Sequence, residues 1–112
     1  MKTFTLTTDY ATYENCYLLT AKYMADNSMS IEVWNDEDGP IADLTRCLGN
    51  AEENQGYLDT NNCPWVENLV KELGIGKHTG NFQQSGFCIY PLYEFDEEKL
   101  KEYVNEKFGE EI

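Results

Sequence analysis

Residues 56–95 read GYLDTNNCPWVENLVKELGIGKHTGNFQQSGFCIYPLYEF and hold two of the four cysteines, the only histidine and two of the three prolines. A helix begins at or near Pro64, because proline suits a first helical turn where its missing N–H is not needed, and Trp65, Leu69, Val70 and Leu73 then recur on one face. Gly74 ends that helix, and Cys63 or Asn62 falls at its N-cap. Residues 74–86, GIGKHTGNFQQSG, are read as a long glycine-containing loop, in which Lys77, His78, Asn81 and Phe82 are candidates for a binding loop. It does not match a phosphate-cradling loop, since Lys77 is followed by His78 and leads toward a strand instead of opening a helix. GFCIYPLYEF then alternates as a strand, and Pro91, which cannot donate to a ladder, predicts an edge or a bulge.

Upstream of this stretch the pattern has period two. Residues 2–8 place Phe4 and Leu6 on one side and threonines on the other. Residues 16–24 set Tyr17, Leu19, Ala21 and Tyr23 on one face, and a turn at 25–28 leads into MSIEVWN, where Met29, Ile31 and Val33 oppose Ser30, Glu32 and Trp34. Those two segments predict a hairpin. DEDGP at 36–40 turns the chain into a fourth strand, IADLTRCL, and NAEENQ at 50–55 is read as an exposed loop. Downstream, Asp96 caps a last helix with Glu97 and Glu98 in its first turn and Leu100, Tyr103, Val104 and Phe108 on its apolar face, closed by Gly109. The expected fold is α+β: one mainly antiparallel sheet of about five strands with two helices, in the order β-β-β-β-α-β-α, forming a single domain over residues 1–112.

Charge bounds the function. With 21 acidic residues against 8 basic ones the net charge is −13, and Arg46 is the only arginine. Phosphate contacts are made by lysine and arginine, so direct binding to nucleic acid or to an anionic membrane is not expected, and a basic protein is the expected partner. No stretch approaches the roughly 20 apolar residues of a membrane span, which points to a cytoplasmic location. The cysteines lack close pairing and are expected to be reduced.

Residues 56–95 offer two chemical readings. Cys63 near a helix N-terminus has the placement of a lowered-pKa thiol, but His78 lies beyond the far end of the same helix, a poor geometry for a nucleophile and its base. Cys63, His78 and Cys88 offer three metal ligands, without the short C-x-x-C or H-x-x-x-H spacing that structural zinc sites use. No catalytic residue and no cofactor is expected, and the metal trio stands as an alternative.

The segments IEVWNDEDGPIADLT, YLDTNNCPWVENLVKELGIG and QQSGFCIYPLYEFD resemble a family of short proteins, a domain of unknown function carried on conjugative elements and phages of gut Gram-positive bacteria. The resemblance is specific in the D-T-N-N-x-P-W and S-G-F-x-x-Y-P words, while the N-terminal strands match only in pattern. It implies a genetic setting and no catalytic residue. Within that setting, a small acidic protein is expected to bind protein, and an inhibitor of a host-defence nuclease, anti-restriction or anti-CRISPR, is its sharpest form. Such an inhibitor presents carboxylates where the nuclease takes phosphates. The candidates are Asp36, Glu37 and Asp38 in the turn, Glu52 and Glu53 in the loop, and Asp96, Glu97, Glu98, Glu102 and Glu106 on the last helix. A regulatory interaction module without DNA mimicry is the alternative.

Overall fold

The computed structural model describes residues 1–106. It contains eight strands and two helices: β1 Phe4–Thr7, β2 Thr12–Lys22, β3 Met29–Asn35, β4 Gly39–Asp43, β5 Thr45–Arg46, β6 Gln55–Leu58, α1 Val66–Leu73, β7 Gly76–Ser85, β8 Cys88–Phe95 and α2 Glu97–Lys101. The antiparallel, α+β character matches expectation. The single five-stranded sheet does not: the strands form two four-stranded sheets, ordered β1-β2-β3-β4 and β5-β6-β8-β7.

The first sheet is the expected meander. Its inner face carries Leu6, Cys16, Leu18, Met29, Ile31 and Val33, all buried. On β3 the alternation was legible, and the burial follows it residue by residue. On β2 the expected face is inverted. Asn15 takes a left-handed backbone (φ 55°) beside a register shift in the β1–β2 ladder, so Cys16 and Leu18 face the core. Tyr17 and Leu19 instead lie opposite Trp34 and Glu32 on the outer face. Tyr17 is still buried, and its hydroxyl donates to Asp36 at 2.9 Å.

The expected fourth strand is two strands. Leu44, fully buried, donates its N–H to the Ile31 carbonyl at 2.8 Å, and its own carbonyl accepts from the Asp59 N–H at 2.8 Å. The chain therefore bends at Leu44, pairing with β3 before the bend and with β6 after it. Part of the expected 50–55 loop is ordered too, since Gln55 opens β6 and pairs with Glu94.

Helix α1 lays Val66, Leu69 and Val70 on the core shared by both sheets and stops at Gly74, whose φ of 68° forms the left-handed cap. Its N-cap is Trp65, without a side-chain cap bond, not Cys63 or Asn62. Residues 76–85 form no loop: they are a ten-residue strand pairing with β8 along most of its length. This strand was hidden because it is an edge with little apolar content, so neither face repeats with period two. Pro91 sits on the interior strand β8, not on an edge. It tolerates that position because the β6 ladder ends at the Tyr57–Leu92 pair and the β7 ladder shifts register between His78 and Phe82, next to its own partner. Both faces of β8 are covered: Tyr93 and Phe95 join the main core, while Tyr90 and Leu92 join a smaller cluster with Tyr57.

Asp96 caps α2 as expected, accepting from the N–H groups of Glu98 and Lys99. The helix ends at Lys101, much earlier than expected. Beyond it the backbone straightens and runs beside β2, with Leu18 N–H donating to the Tyr103 carbonyl at 2.8 Å and Asn105 N–H donating to the Leu18 carbonyl at 3.0 Å. Phe108 and Gly109, expected to complete the helix, lie outside the described residues.

Candidate functional site

A cleft of about 550 Å³ opens between the β1–β2 turn, strand β4 and residues 59–65. Asp9, Asp43 and Asp59 line it together with Tyr10, Tyr13 and Trp65, and among the described residues no lysine or arginine does. The turn at 8–11 is held by Thr8, whose hydroxyl accepts from the N–H groups of Tyr10 and Ala11 at 3.2 Å each. This leaves Tyr10 almost fully exposed at the rim. On the opposite wall Asp59 is buried and accepts from the backbone N–H of Asn62 at 3.1 Å and from its side-chain amide at 2.9 Å, closing a turn that delivers the chain to α1. Cys63 packs behind that turn, its thiol donating to the Asp43 carbonyl at 3.5 Å. Residues 59–65, the D-T-N-N-x-P-W word of the sequence, thus build one wall of the cleft.

Arg46, the only arginine, is already engaged: its guanidinium lies 4.0 Å from Asp59 and 5.3 Å over the Tyr90 ring. Asp9 and Asp43 are exposed. Carboxylates beside aromatic rings have the chemistry to hold a guanidinium or ammonium group, by charge pairing and by cation–π contact.

Asp43 also faces Glu32 directly across the β3–β4 ladder. Partial burial, and then the charge of Asp43, push the Glu32 carboxyl above its ordinary range, while the hydrogen-bonded Trp34 side chain works the other way. Two carboxylates are therefore forced together on the outer face of the first sheet. Sequence reasoning missed Asp9, Asp43 and Glu32. The register that pairs Glu32 with Asp43 depends on the bulge between Val33 and Trp34, which the alternation does not show.

The acidic residues singled out from sequence fall into separate places. Asp36, Glu37 and Asp38 form an exposed turn, which Asn35 orders by donating to the Asp38 carboxylate at 3.1 Å and accepting from its N–H at 2.6 Å. Asp36 shares one hollow with Glu102 and Glu106 and another with Glu14 and Glu37. Elsewhere, Glu52 and Glu53 are exposed before β6, with Glu53 bound by Lys22, and that contact holds its carboxyl below the usual range. Asp96, Glu97 and Glu98 sit at the start of α2. The expected helical stripe of Glu98, Glu102 and Glu106 does not form, because Glu102 is the C-cap of α2, and a turn followed by the Val104 bridge to Leu18 separates it from Glu106. Glu102 itself is paired with Lys2 at 3.5 Å and Lys99 at 3.9 Å.

Lys77, His78, Asn81 and Phe82 are all exposed, on the edge strand β7. His78 accepts from the Gly80 N–H at 2.7 Å and packs against Phe82 and Tyr93, with ring centroids 4.8 Å and 5.2 Å away. Cys63, His78 and Cys88 are not brought together: Cys63 lies in the main core, His78 is on the face of β7 shared with Tyr93, and Cys88 packs against the Tyr57 cluster on the other face. Among the described residues no three His, Cys, Asp or Glu side chains are grouped as metal ligands. Burial, with the charges of Asp59 and Asp43, pushes the Cys63 thiol up to about 11, the reverse of an activated nucleophile. Among the described residues no helix is long and apolar enough to cross a membrane.

No curated protein and no solved structure matches the chain. A family model described as a domain of unknown function, DUF4313, matches residues 17–111. That span takes in nearly every element of both sheets and the D-T-N-N-x-P-W wall of the cleft, and the chain belongs to the DUF4313 family.

Proposed function

We propose that this protein acts by binding a basic protein partner through its acidic surface, with the cleft at residues 8–13, 41–43 and 59–65 receiving a lysine or arginine side chain of that partner. The observation that carries this reading is the cleft's lining: three aspartates among aromatic rings and, among the described residues, no basic side chain. The net charge of −13 supplies a long-range field that steers a basic protein toward it. In the setting that the sequence words suggest, a mobile element of a gut Gram-positive bacterium, the sharpest form of the partner is a host-defence nuclease, blocked by carboxylates that stand where it takes phosphates.

A regulatory interaction module without DNA mimicry uses the same cleft. The scatter of the remaining carboxylates over a turn, a loop and a helix start favours this second form over an extended mimic of a duplex.

Titration against a basic nuclease at low and high salt tests the proposal. Affinity should fall steeply as salt rises, and the double variant Asp9→Asn, Asp43→Asn should weaken binding at least tenfold without any loss of melting temperature. Salt-independent binding, or equal affinity of the variant, would overturn it. Loss of nuclease activity on saturation separates the inhibitor from the regulatory module.

A further inference from the structure

One stretch of this acidic chain carries no acid at all. Between Glu72 and Glu94 there is no aspartate or glutamate, and the next longest acid-free run, residues 15–25, is about half that length. The structure folds this run into the β7–β8 hairpin, and β7 is the outer strand of its sheet. Among the described residues, no backbone hydrogen bond joins β7 to any strand other than β8. Phe82, Phe87 and Ile89, three of the largest exposed apolar side chains of the protein, sit on the same hairpin at 60%, 105% and 61% exposure.

We infer that β7 pairs edge to edge with β7 of a second copy of this chain. An open, acid-free, partly apolar edge is a template for strand addition, and of the charges that protect most edges β7 carries only Lys77, at its base opposite Glu94. Two chains of net charge −13 repel each other wherever their acidic surfaces meet, so a second copy is accommodated where carboxylates are missing. The identical strand meets this requirement, and a two-fold axis makes one surface complementary to itself.

The bulge fixes where the axis falls. Register is lost between His78 and Phe82, and the ladder is regular from Phe82 to Ser85. Centring the pair on Gln83 puts Phe82 opposite the second copy's Gln84 and sets the two Phe82 rings diagonally across the axis on one face, within aromatic reach. The nearest acids on the chain, Glu72 and Glu94, flank the base of the hairpin. Counted along β8, where Tyr90 faces Gln83, Glu94 stands about 14 Å from the axis at about 3.4 Å per residue, beyond a Debye length of about 8 Å at physiological salt. Gln83 anchors the strand from behind, accepting from the Tyr57 hydroxyl and donating to the Leu48 carbonyl, both at 3.0 Å.

Sedimentation equilibrium over a concentration series at low and high salt, with no partner present, is the test. Twice the monomer mass should appear as concentration rises, and association should strengthen with salt, opposite in sign to the salt dependence of partner binding. Phe82→Glu and Gln84→Glu should each raise the dimer dissociation constant at least tenfold, whereas Met24→Glu, at a fully exposed apolar position in the β2–β3 turn, should leave it unchanged. Circular dichroism melting verifies that the variants are folded. A monomer at every concentration and salt, or a dimer that folded Phe82→Glu and Gln84→Glu chains still form, overturns the inference and leaves the cleft reading standing.

Discussion

The hydroxyl of Thr45 accepts a hydrogen bond from the backbone N–H of Ile31 at 3.2 Å, across the point where the chain passes from one sheet to the other. Tyr23 fixes the same residue, its hydroxyl lying 3.0 Å from both the carbonyl and the hydroxyl of Thr45. Thr45→Val keeps the shape but leaves a buried N–H unpaired, which costs about 1–3 kcal/mol. The urea midpoint should fall with an unchanged slope, and Thr45→Ser should lose much less. A Thr45→Val protein as stable as wild type would remove the junction from this account.

Phe95 is held at opposite corners of its ring by two glycines. A Cβ on Gly76 would stand 2.9 Å from its Cδ1, and one on Gly56 would stand 3.2 Å from its Cε2 and 3.0 Å from the Met29 carbonyl. Gly76→Ala and Gly56→Ala should each cost about 1–3 kcal/mol by overpacking. Adding Phe95→Leu should recover part of each loss, limited by backbone that cannot retreat, the Glu94 carbonyl 3.1 Å from a Cβ on Gly76 and the Met29 carbonyl at Gly56. Additive double mutants in thermal denaturation would contradict that coupling.

Glu32 tests the carboxylate pair. Its folded-state pKa is raised by burial and by Asp43, so its ionised form opposes folding. That penalty is full above the folded pKa and vanishes as pH falls below the unfolded value of about 4.3. Glu32→Gln should therefore raise the melting temperature at pH 7 by about 1–4 °C, from a like-charge cost of a few tenths to 1 kcal/mol. The gain should shrink toward zero near pH 4. An equal gap at both pH values would mean that charge is not its cause.

Thiol labelling of the native protein should follow exposure. Cys47 is exposed, while Cys16 and Cys63 are buried with thiols pushed up by burial. A disulfide reagent at pH 8 should modify Cys47 first, with Cys16 and Cys63 reacting only on unfolding. Rapid labelling of Cys63 would restore it as a reactive group.

The fold was legible where an element alternates against a single core, as in Met29, Ile31 and Val33, or where a cap declares itself, as at Asp96 and Gly74. It was hidden where one residue changes the count. Asn15 turned the whole face of β2, and Leu44 divided one apparent strand between two sheets. The edge strand β7 was missed because solvent takes its polar side chains at nearly every position. The cleft was invisible for another reason: Asp9, Asp43 and Asp59 are far apart in sequence, and only the meander and the 59–65 turn bring them to one opening. The family word at 59–65 was noticed as a label, and its role as a wall needed the fold.

The bend at Leu44 also divides the molecule in time. The strands of the first sheet pair with their immediate neighbours, so each pairing closes a short loop at small entropic cost. The second sheet pairs β6 with β8 across α1 and β7, a far longer closure. The meander can therefore assemble first and present the Ile31–Leu44 backbone bond as the docking edge for everything that follows. Pulsed hydrogen exchange during refolding should protect the amides of β2 and β3 before those of β6, and simultaneous protection would show that the two sheets form as one.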